Sequence, residues 1–167
     1  ELILEGSFHC WLPLSGLMKG DVYFLRSDPD TTILVPGFSS VAVTVGGYQT
    51  ASGGIDARSG RGFSTLGMIT PDVVAPGVNV YGTEPGGRYG VRTGTSVAAA
   101  VTAGGCAQIF QWGIEQNNLR YLNSRDLSHL LIRGAIRDTD RIYPNTSFGY
   151  GKLDVYNALN TLRLEYR

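Results

Sequence analysis

The chain has 167 residues, of which 14 are basic and 14 acidic, so its formal net charge is zero. A neutral chain gives no electrostatic reason to bind nucleic acid or an anionic membrane surface. Its length is that of one domain or part of one, and its 43% apolar residues are enough to form a buried core. No apolar run approaches the roughly 20 residues of a membrane span. We therefore expect neither a nucleic-acid partner nor a membrane partner.

The first 27 residues have the pattern of short strands and turns, punctuated by "WLPLSG" and "RSDPDTT". The chain opens on Glu1-Leu2-Ile3-Leu4, which has the pattern of a strand already under way. No initiator methionine or signal peptide stands at the front. We therefore expect the sequence to be a piece of a longer polypeptide.

Two apolar runs have the length of buried strands. They are "SSVAVTVGGY" at 39–48 and the apolar part of "PDVVAPG" at 71–76. A strand that is apolar on both faces has to be packed against other elements on both sides of its sheet. We predict that these two runs are neighbouring parallel strands of one sheet. The Gly- and Ser-rich residues 52–67 predict a long loop, and residues 78–94 predict a hairpin that turns at Pro85-Gly86-Gly87.

The segment "TGTSVAAAVTAGGCAQ" predicts a helix that is apolar on every side, which is typical of a buried helix. We expect residues 97–111 to pack against the sheet through Ala103, Gly104 and Ala107. A glycine in a helix interior costs about 1 kcal/mol relative to alanine. The pair Gly104 and Gly105 therefore predicts that another part of the backbone passes close by.

Two amphipathic helices are expected in the rest of the chain. One starts at Ser124, a good N-cap residue, and the other lies within 148–162. Buried strands together with a wholly buried helix predict an α/β layered fold. The inward faces of the two helices are expected to hold Leu127, Leu130, Leu131 and Ala135 in the first, and Val155, Ala158, Leu159 and Leu162 in the second.

Ser96 follows a glycine and a threonine at the start of the small-residue helix. In the first turn of a helix, free backbone N–H groups and the positive end of the helix dipole stabilise negative charge, including the oxyanion of a tetrahedral intermediate. That position suits a nucleophile. The alternative is that Ser96 or Thr95 is only the N-cap of the helix. The G-x-S-x-G pattern of α/β-hydrolases is absent, because Ala98 occupies the place of its second glycine.

The residues around Ser96 resemble the subtilisin-like serine protease (subtilase) family. "PDVVAPG" resembles the D-x-x-A-P-G strand of the family, and Gly94-Thr95-Ser96 with the residues that follow resembles its G-T-S-x-A-A segment. "VPGFSSVAVTVGGY", "ARSGRGFS" and "FGYGKLDVYNAL" resemble further family segments, so the likeness runs in order over residues 31–160. One residue departs from the family pattern. Ala100 stands where the family has proline, which should alter the helix start only slightly.

The resemblance implies an α/β fold, namely the C-terminal portion of a subtilisin-like three-layer fold with a parallel sheet and a buried helix behind the nucleophile. It implies that Ser96 forms the acyl-enzyme in peptide-bond hydrolysis. The Ser96 N–H, helped by the Thr95 hydroxyl, would serve the oxyanion, and Gly94 would let the hairpin approach the helix closely. The substrate would be a peptide or protein, and these residues imply no cofactor and no metal site.

The partners that a catalytic serine needs are not evident in the sequence. The family uses Asp, His and Ser in that chain order, and His9 is the only histidine before Ser96. His129 comes later, three residues after Asp126, and such a pair on a helix is usually a surface contact. We therefore expect the catalytic Asp and His, and an oxyanion-binding Asn, to lie on polypeptide outside this sequence. The sequence alone should then be inactive, and it should be marginally stable or self-associated.

The front of the chain, with "FHCWLPLSG" and "FLRSDPDTTILVPG", further resembles the clostridial Csp-type branch of spore-germination subtilases. In that branch a jelly-roll domain is inserted in the catalytic domain. Residues 1–27 would be the tail of that β-rich region, and residues 28–167 the C-terminal part of the catalytic domain. By this resemblance the parent protein is bacterial and is spore-associated or secreted. Because the branch contains catalytically dead members, a pseudoprotease with a binding or regulatory role is the alternative function.

Overall fold

The computed structural model describes residue 6, residues 8–13 and residues 15–165. Among the described residues before residue 45, there is a single 3-10 turn at Ser15–Leu17 and no strand. The short strands expected in the first 27 residues are therefore not formed there, and the strand pattern at Glu1-Leu2-Ile3-Leu4 lies outside the described residues. The regular elements are, in chain order, β1 (Val45–Tyr48), β2 (Val73–Pro76), β3 (Val80–Glu84), β4 (Arg88–Arg92), α1 (Thr95–Phe110), α2 (Ser124–Gly134) and α3 (Val155–Glu165).

β1 and β2 are neighbouring parallel strands, with Val45 opposite Val73. The predicted parallel pair is therefore confirmed, although β1 is shorter than predicted because residues 40–42 form a turn and a bend and residues 43–44 are irregular. The connection through residues 49–72 contains no helix, which confirms the predicted loop. Three residues of β2 are completely buried, as expected for a strand covered on both faces: Val73, Val74 and Ala75.

β3 and β4 form the predicted antiparallel hairpin. It turns at Pro85-Gly86-Gly87, as the sequence indicated. Gly86 and Gly87 have φ angles of 82° and 70°, a region that glycine adopts without the steric cost of a Cβ. The hairpin carries the chain from the end of β2 to the start of α1.

α1 packs through a different face from the predicted one. The expected contact residues Ala103, Gly104 and Ala107 are exposed, and a Cβ built at Gly104 would meet no atom within 4 Å beyond its own helix. The helix is therefore buried along one face, as the predicted fold requires, and the expectation that every side is buried is not met within this chain. The buried residues recur at helical spacing and form one stripe: Ala98, Thr102, Gly105 and Ile109.

A close neighbour does lie beside Gly105. The side chain of Val155 in α3 is so near that a Cβ at Gly105 would clash with it. The predicted close approach of another part of the backbone is therefore not found: the neighbour of Gly105 is a side chain, and Gly104 has no neighbour outside its helix. Since α1 also contacts β1 and β2, it lies between the parallel strands and α3.

The helix that begins with α1 is longer than the sequence pattern suggested. A π-helical turn at Gln111–Glu115 continues it. The resulting segment Thr95–Glu115 has 21 residues and is long and apolar enough, by length and composition alone, to cross a membrane. This corrects the expectation that no apolar run approaches that length. Core helices of globular proteins meet the same criterion, and this one packs against two strands and another helix.

The N-cap residue of α2 lies one position earlier than predicted. Asn123, rather than Ser124, is the N-cap, and its side-chain oxygen accepts hydrogen bonds from the N–H groups of Arg125 and Asp126 at 2.9 and 3.1 Å. The Asp126 carboxylate in turn accepts a 3.2 Å bond from the N–H of Asn123. These reciprocal bonds form a capping box, which satisfies donors that the first helical turn leaves without partners.

α2 and α3 pack on each other and complete the hydrophobic core. The close contact is between Gly134 and Ala158, where the α3 backbone leaves no room for a side chain on Gly134. The side-chain amide of Asn157 adds a 2.9 Å bond to the Gly134 carbonyl. All inward residues predicted for the two helices are buried or partly buried here: Leu127, Leu130, Leu131, Ala135, Val155, Ala158, Leu159 and Leu162.

Candidate active site

The start of α1 is attached to the end of β2. The N–H of Gly94 donates a 2.8 Å hydrogen bond to the carbonyl of Gly77. A Cβ at Gly77 would lie 3.1 Å from the Gly47 Cα, 3.1 Å from the Gly94 carbonyl oxygen and 3.3 Å from the Ala98 Cβ. A Cβ at Gly94 would meet nothing closer than the Ser96 nitrogen at 3.9 Å. The close approach that was expected at Gly94 is therefore made by Gly77, and Gly94 contributes its backbone hydrogen bond.

Ser96 is exposed in the first turn of α1. The N-cap of the helix is Gly94, and no side chain makes a capping hydrogen bond. The alternative that Ser96 or Thr95 is only an N-cap is therefore wrong. Within the described part of the chain, the Ser96 hydroxyl has no hydrogen-bond partner. It is thus accessible and not committed to a structural bond.

Two backbone N–H groups next to this hydroxyl are also free. The N–H groups of Val97 and Ala98 both donate to the Gly94 carbonyl, at 3.1 and 3.3 Å. Those of Thr95 and Ser96 come earlier in the turn, where a helix offers no acceptor, and no described residue accepts from them. Together with the positive end of the helix dipole, they can stabilise an oxyanion.

Neither histidine lies beside Ser96. The His9 ring stacks on Trp11, with 5.6 Å between the ring centroids, and lines a cleft of about 690 Å³ formed by residues 8–34. His129 is exposed on α2 and lines another cleft of about 630 Å³. Neither cleft includes Thr95 or Ser96.

Asp126 has a structural role instead of a catalytic one. Its carboxylate is occupied by the capping box with Asn123. Asp126 therefore belongs to the helix start and His129 to the exposed face of α2, and in the described part of the chain the surface contact expected between them is not formed.

Asp72 links three parts of the chain. Its carboxylate accepts a 2.7 Å bond from the N–H of Thr44, just before β1, and its carbonyl accepts a 2.9 Å bond from the N–H of Tyr150. Burial raises the pKa of the Asp72 carboxyl above its usual value. The hydrogen bond from Thr44 and the charge of His129 lower the pKa, but they offset only part of this effect. Asp72 therefore holds β1, β2 and the segment before α3 in register.

A cleft of about 520 Å³ reaches the residue before Ser96. Thr95 lines it together with the start of β1, residues 57–61 and part of residues 29–37. Arg58 and Arg61 are among its lining residues. Both arginines belong to the segment "ARSGRGFS", but they lie well before Ser96 in the chain, so the sequence did not indicate that they are near the start of α1.

An exposed serine with unbonded N–H groups, at the start of a helix that follows a parallel sheet, has features that α/β serine hydrolases share. The family model of the subtilases matches residues 25–151. The chain belongs to this family of serine proteases.

Individual relatives agree with this assignment. The chain is 35% identical over 155 residues to the serine protease AprX of Bacillus subtilis. The alignment covers 80% of this chain and 33% of AprX. The chain is also 39% identical over 99 residues to the thermophilic serine proteinase of Bacillus sp. strain AK1. That alignment covers 58% of this chain and 21% of the proteinase.

A solved structure shows the same fold and branch. The Clostridium perfringens CspB protease matches with a TM-score of 0.79 and 33% identity, over 83% of this chain and 30% of CspB. The subtilisin-like α/β fold and the Csp-type branch indicated by the front of the chain are therefore confirmed. The chain spans about a third or less of the length of each of these three relatives.

Proposed function

We propose that this chain is the C-terminal part of a subtilisin-like catalytic domain, in a parent protein that hydrolyses peptide bonds through an acyl-enzyme on Ser96. The observation that carries the proposal is the exposed Ser96 hydroxyl, which has no described hydrogen-bond partner and lies beside the free N–H groups of Thr95 and Ser96. The division at residue 27 between an inserted β-rich region and the catalytic domain stays a prediction.

The chemistry at Ser96 follows from this geometry. The Ser96 Oγ attacks the carbonyl carbon of the scissile bond and loses its proton to a general base. The new oxyanion accepts hydrogen bonds from the Ser96 N–H and, in our proposal, from the Thr95 hydroxyl. The C–N bond then breaks, the amine leaves with the proton, and water hydrolyses the ester on Ser96. The substrate is a peptide or protein, and no cofactor takes part in these steps.

The general base is proposed to come from polypeptide outside this chain. His9 and His129 line clefts that do not reach Ser96. The chain covers only 33% of AprX and 30% of CspB, so most of each relative has no counterpart here. We therefore place the base, the carboxylate that orients it and one oxyanion donor in the remainder of the parent catalytic domain.

The experiment that tests the function replaces Ser96 by alanine in the full-length parent. Ser96→Ala should abolish peptide hydrolysis and labelling by a fluorophosphonate probe, because the acyl-forming oxygen is gone. Ser52→Ala, at an exposed serine in the 49–56 loop, should retain both. Turnover that survives in Ser96→Ala, or a wild-type protein that neither labels nor hydrolyses, would contradict the proposal. The second result would favour a pseudoprotease.

A further inference from the structure

The cleft beside Thr95 has a charge imbalance. Its lining combines the apolar residues Ile33, Leu34, Val45 and Pro71 with two arginines, Arg58 and Arg61. No aspartate or glutamate lines it. A volume of about 520 Å³ is large enough for one or two amino-acid side chains.

The two arginines differ in their partners. Arg58 makes two 3.2 Å bonds to the Asp56 carboxylate, one to each oxygen, so the charges of this pair balance. Asp56 is itself buried and accepts a further 3.1 Å bond from the Arg58 N–H. Arg58 is therefore held by an internal carboxylate.

Hydrogen bonds hold the backbone of Arg61 in place, whereas its side chain makes none in the described residues. Its N–H donates a 3.0 Å bond to the Thr32 hydroxyl, and its carbonyl accepts a 2.8 Å bond from the Thr32 N–H. In the part of the chain that the structure describes, the guanidinium has no hydrogen-bond or ion-pair partner. Arg61 as a whole is partly buried, and an arginine charge that loses hydration without gaining an acceptor is unfavourable.

We propose that this cleft is a carboxylate-binding subsite for the peptide substrate, in which Arg61 binds an acidic side chain close to the scissile bond. This inference rests on the proposed function, because it assumes that the peptide passes Ser96. One uncompensated positive charge matches one carboxylate, and the planar guanidinium can bind both of its oxygens. The apolar lining residues would contact the methylene groups of the acidic residue, which favours glutamate over aspartate.

Binding to the Ser96→Ala variant of the full-length parent tests the subsite without requiring catalysis. The probes are fluorescein-labelled peptides with amidated C-termini, each carrying Glu or Gln at one position, measured by fluorescence anisotropy. At the position that enters the cleft, the Glu peptide should bind about tenfold to a hundredfold more tightly than the Gln peptide. Adding Arg61→Gln should bring the Glu-to-Gln ratio close to one. Arg88→Gln, at an exposed arginine of β4 outside the cleft, removes the same charge and should keep the ratio.

Each outcome supports or overturns the inference. Equal binding of Glu and Gln peptides at every position, or a preference that survives Arg61→Gln, overturns it even if the parent is an active protease. Gln peptides with a free C-terminal carboxylate are measured beside the amidated ones. If only the free carboxylate gives tighter binding, the cleft binds a chain end, and the side-chain assignment is overturned.

If circular dichroism shows that Arg61→Gln does not fold, Arg61→Glu and Arg61→Lys replace it. Arg61→Glu should reverse the preference towards Lys peptides, and Arg61→Lys should retain part of the preference for Glu peptides. Loss of catalysis in the wild type would contradict the proposed function and leave this binding test intact.

Discussion

The 2.8 Å hydrogen bond from the N–H of Gly94 to the carbonyl of Gly77 joins the start of α1 to the end of β2. It places Ser96 at the end of the parallel pair. The space around Gly77 is filled by Gly47, Gly94 and Ala98, which a Cβ would meet at 3.1 to 3.3 Å. The position of the proposed nucleophile therefore depends on a residue that lies well before it in the chain.

We predict that Gly77→Ala destabilises the full-length protein by about 1–3 kcal/mol, because the added methyl group overpacks this junction. Displacement of the α1 start should also lower kcat/KM for peptide hydrolysis. Urea unfolding and peptide kinetics measure the two effects. Gly82→Ala is the matched control, since a Cβ there meets no atom within 4 Å. Equal stability of the two variants would contradict the role of Gly77.

The neighbouring glycines of α1 should respond in opposite directions to the same substitution. Gly105→Ala should cost about 1–3 kcal/mol, because its methyl group would clash with Val155. In the 167-residue chain, Gly104→Ala should raise stability by up to about 1 kcal/mol, because alanine is the better helix former and the site is open there. Urea denaturation of both variants gives the two values. A reversed order would show that the buried face of α1 is misassigned.

The α2 capping box should matter for stability and not for catalysis. Asn123→Ala removes the acceptor of the Arg125 and Asp126 N–H groups and should cost about 0.5–2 kcal/mol. His129→Ala should leave kcat/KM unchanged within about twofold, since His129 lies in a different cleft from Ser96. Thermal unfolding and peptide kinetics on the full-length parent test both statements. A large loss of kcat in His129→Ala would show that this histidine is the general base.

An ion-pair cluster around Asp138 predicts a pH dependence of stability. The Lys152 Nζ donates to both Asp138 oxygens, at 2.8 and 3.0 Å, and Arg141 adds a 2.7 Å bond. The hydrogen bond from Lys152, followed by the charges of Lys152 and Arg141, holds the pKa of the Asp138 carboxyl below its usual range. The unfolded chain therefore binds the proton more readily than the folded one. The stabilisation is present above the unfolded pKa of about 3.9 and is lost as the pH falls through the lower folded value.

Urea unfolding between pH 6 and pH 3 measures this effect. The free energy of unfolding should fall more steeply towards low pH in the wild type than in Asp138→Asn, because the variant has no carboxylate to protonate at this position. Lys152→Gln should weaken the dependence, since it removes the main cause of the low pKa. Parallel pH curves for the wild type and Asp138→Asn would contradict the prediction.

The 167-residue chain by itself should not turn over a peptide substrate. Without a base in reach, the Ser96 proton has no acceptor, and the oxyanion donors alone do not replace it. Fluorophosphonate labelling and a peptide assay on the purified chain test this. Stoichiometric labelling at Ser96 with turnover would show that His9 or His129 supplies the base, and would overturn the proposal of an external one.

The isolated chain should also self-associate. An apolar groove of about 340 Å³ lies between β1 and the exposed face of α1. It includes Val43, Val45, Ala103 and Phe110. Open strand edges and apolar grooves of this kind favour association. Sedimentation velocity should therefore detect dimers or larger species, and a stable monomer at all concentrations would contradict the prediction.

Several elements could be predicted from local sequence patterns. The apolar run before Gly77 gave a buried strand, and Pro85-Gly86-Gly87 gave the hairpin turn, because these residues restrict the backbone directly. The apolar stripe of α2 faces the core as predicted, since its hydrophobic residues recur on one side of a polar helix. The match of ordered motifs around Ser96 indicated the subtilase family, which the comparisons confirm.

The buried side of α1, in contrast, is set by contacts with other elements of the fold. The helix is apolar around its whole circumference, so its own residues do not specify a face; the contact with Val155 and the parallel strands selects Gly105 over Gly104. The N-cap of α1, the crowded position at Gly77 and the cleft containing Arg61 likewise depend on residues far apart in the chain. Such contacts form only when the strands pair and the helices pack, and no spacing within one segment encodes them.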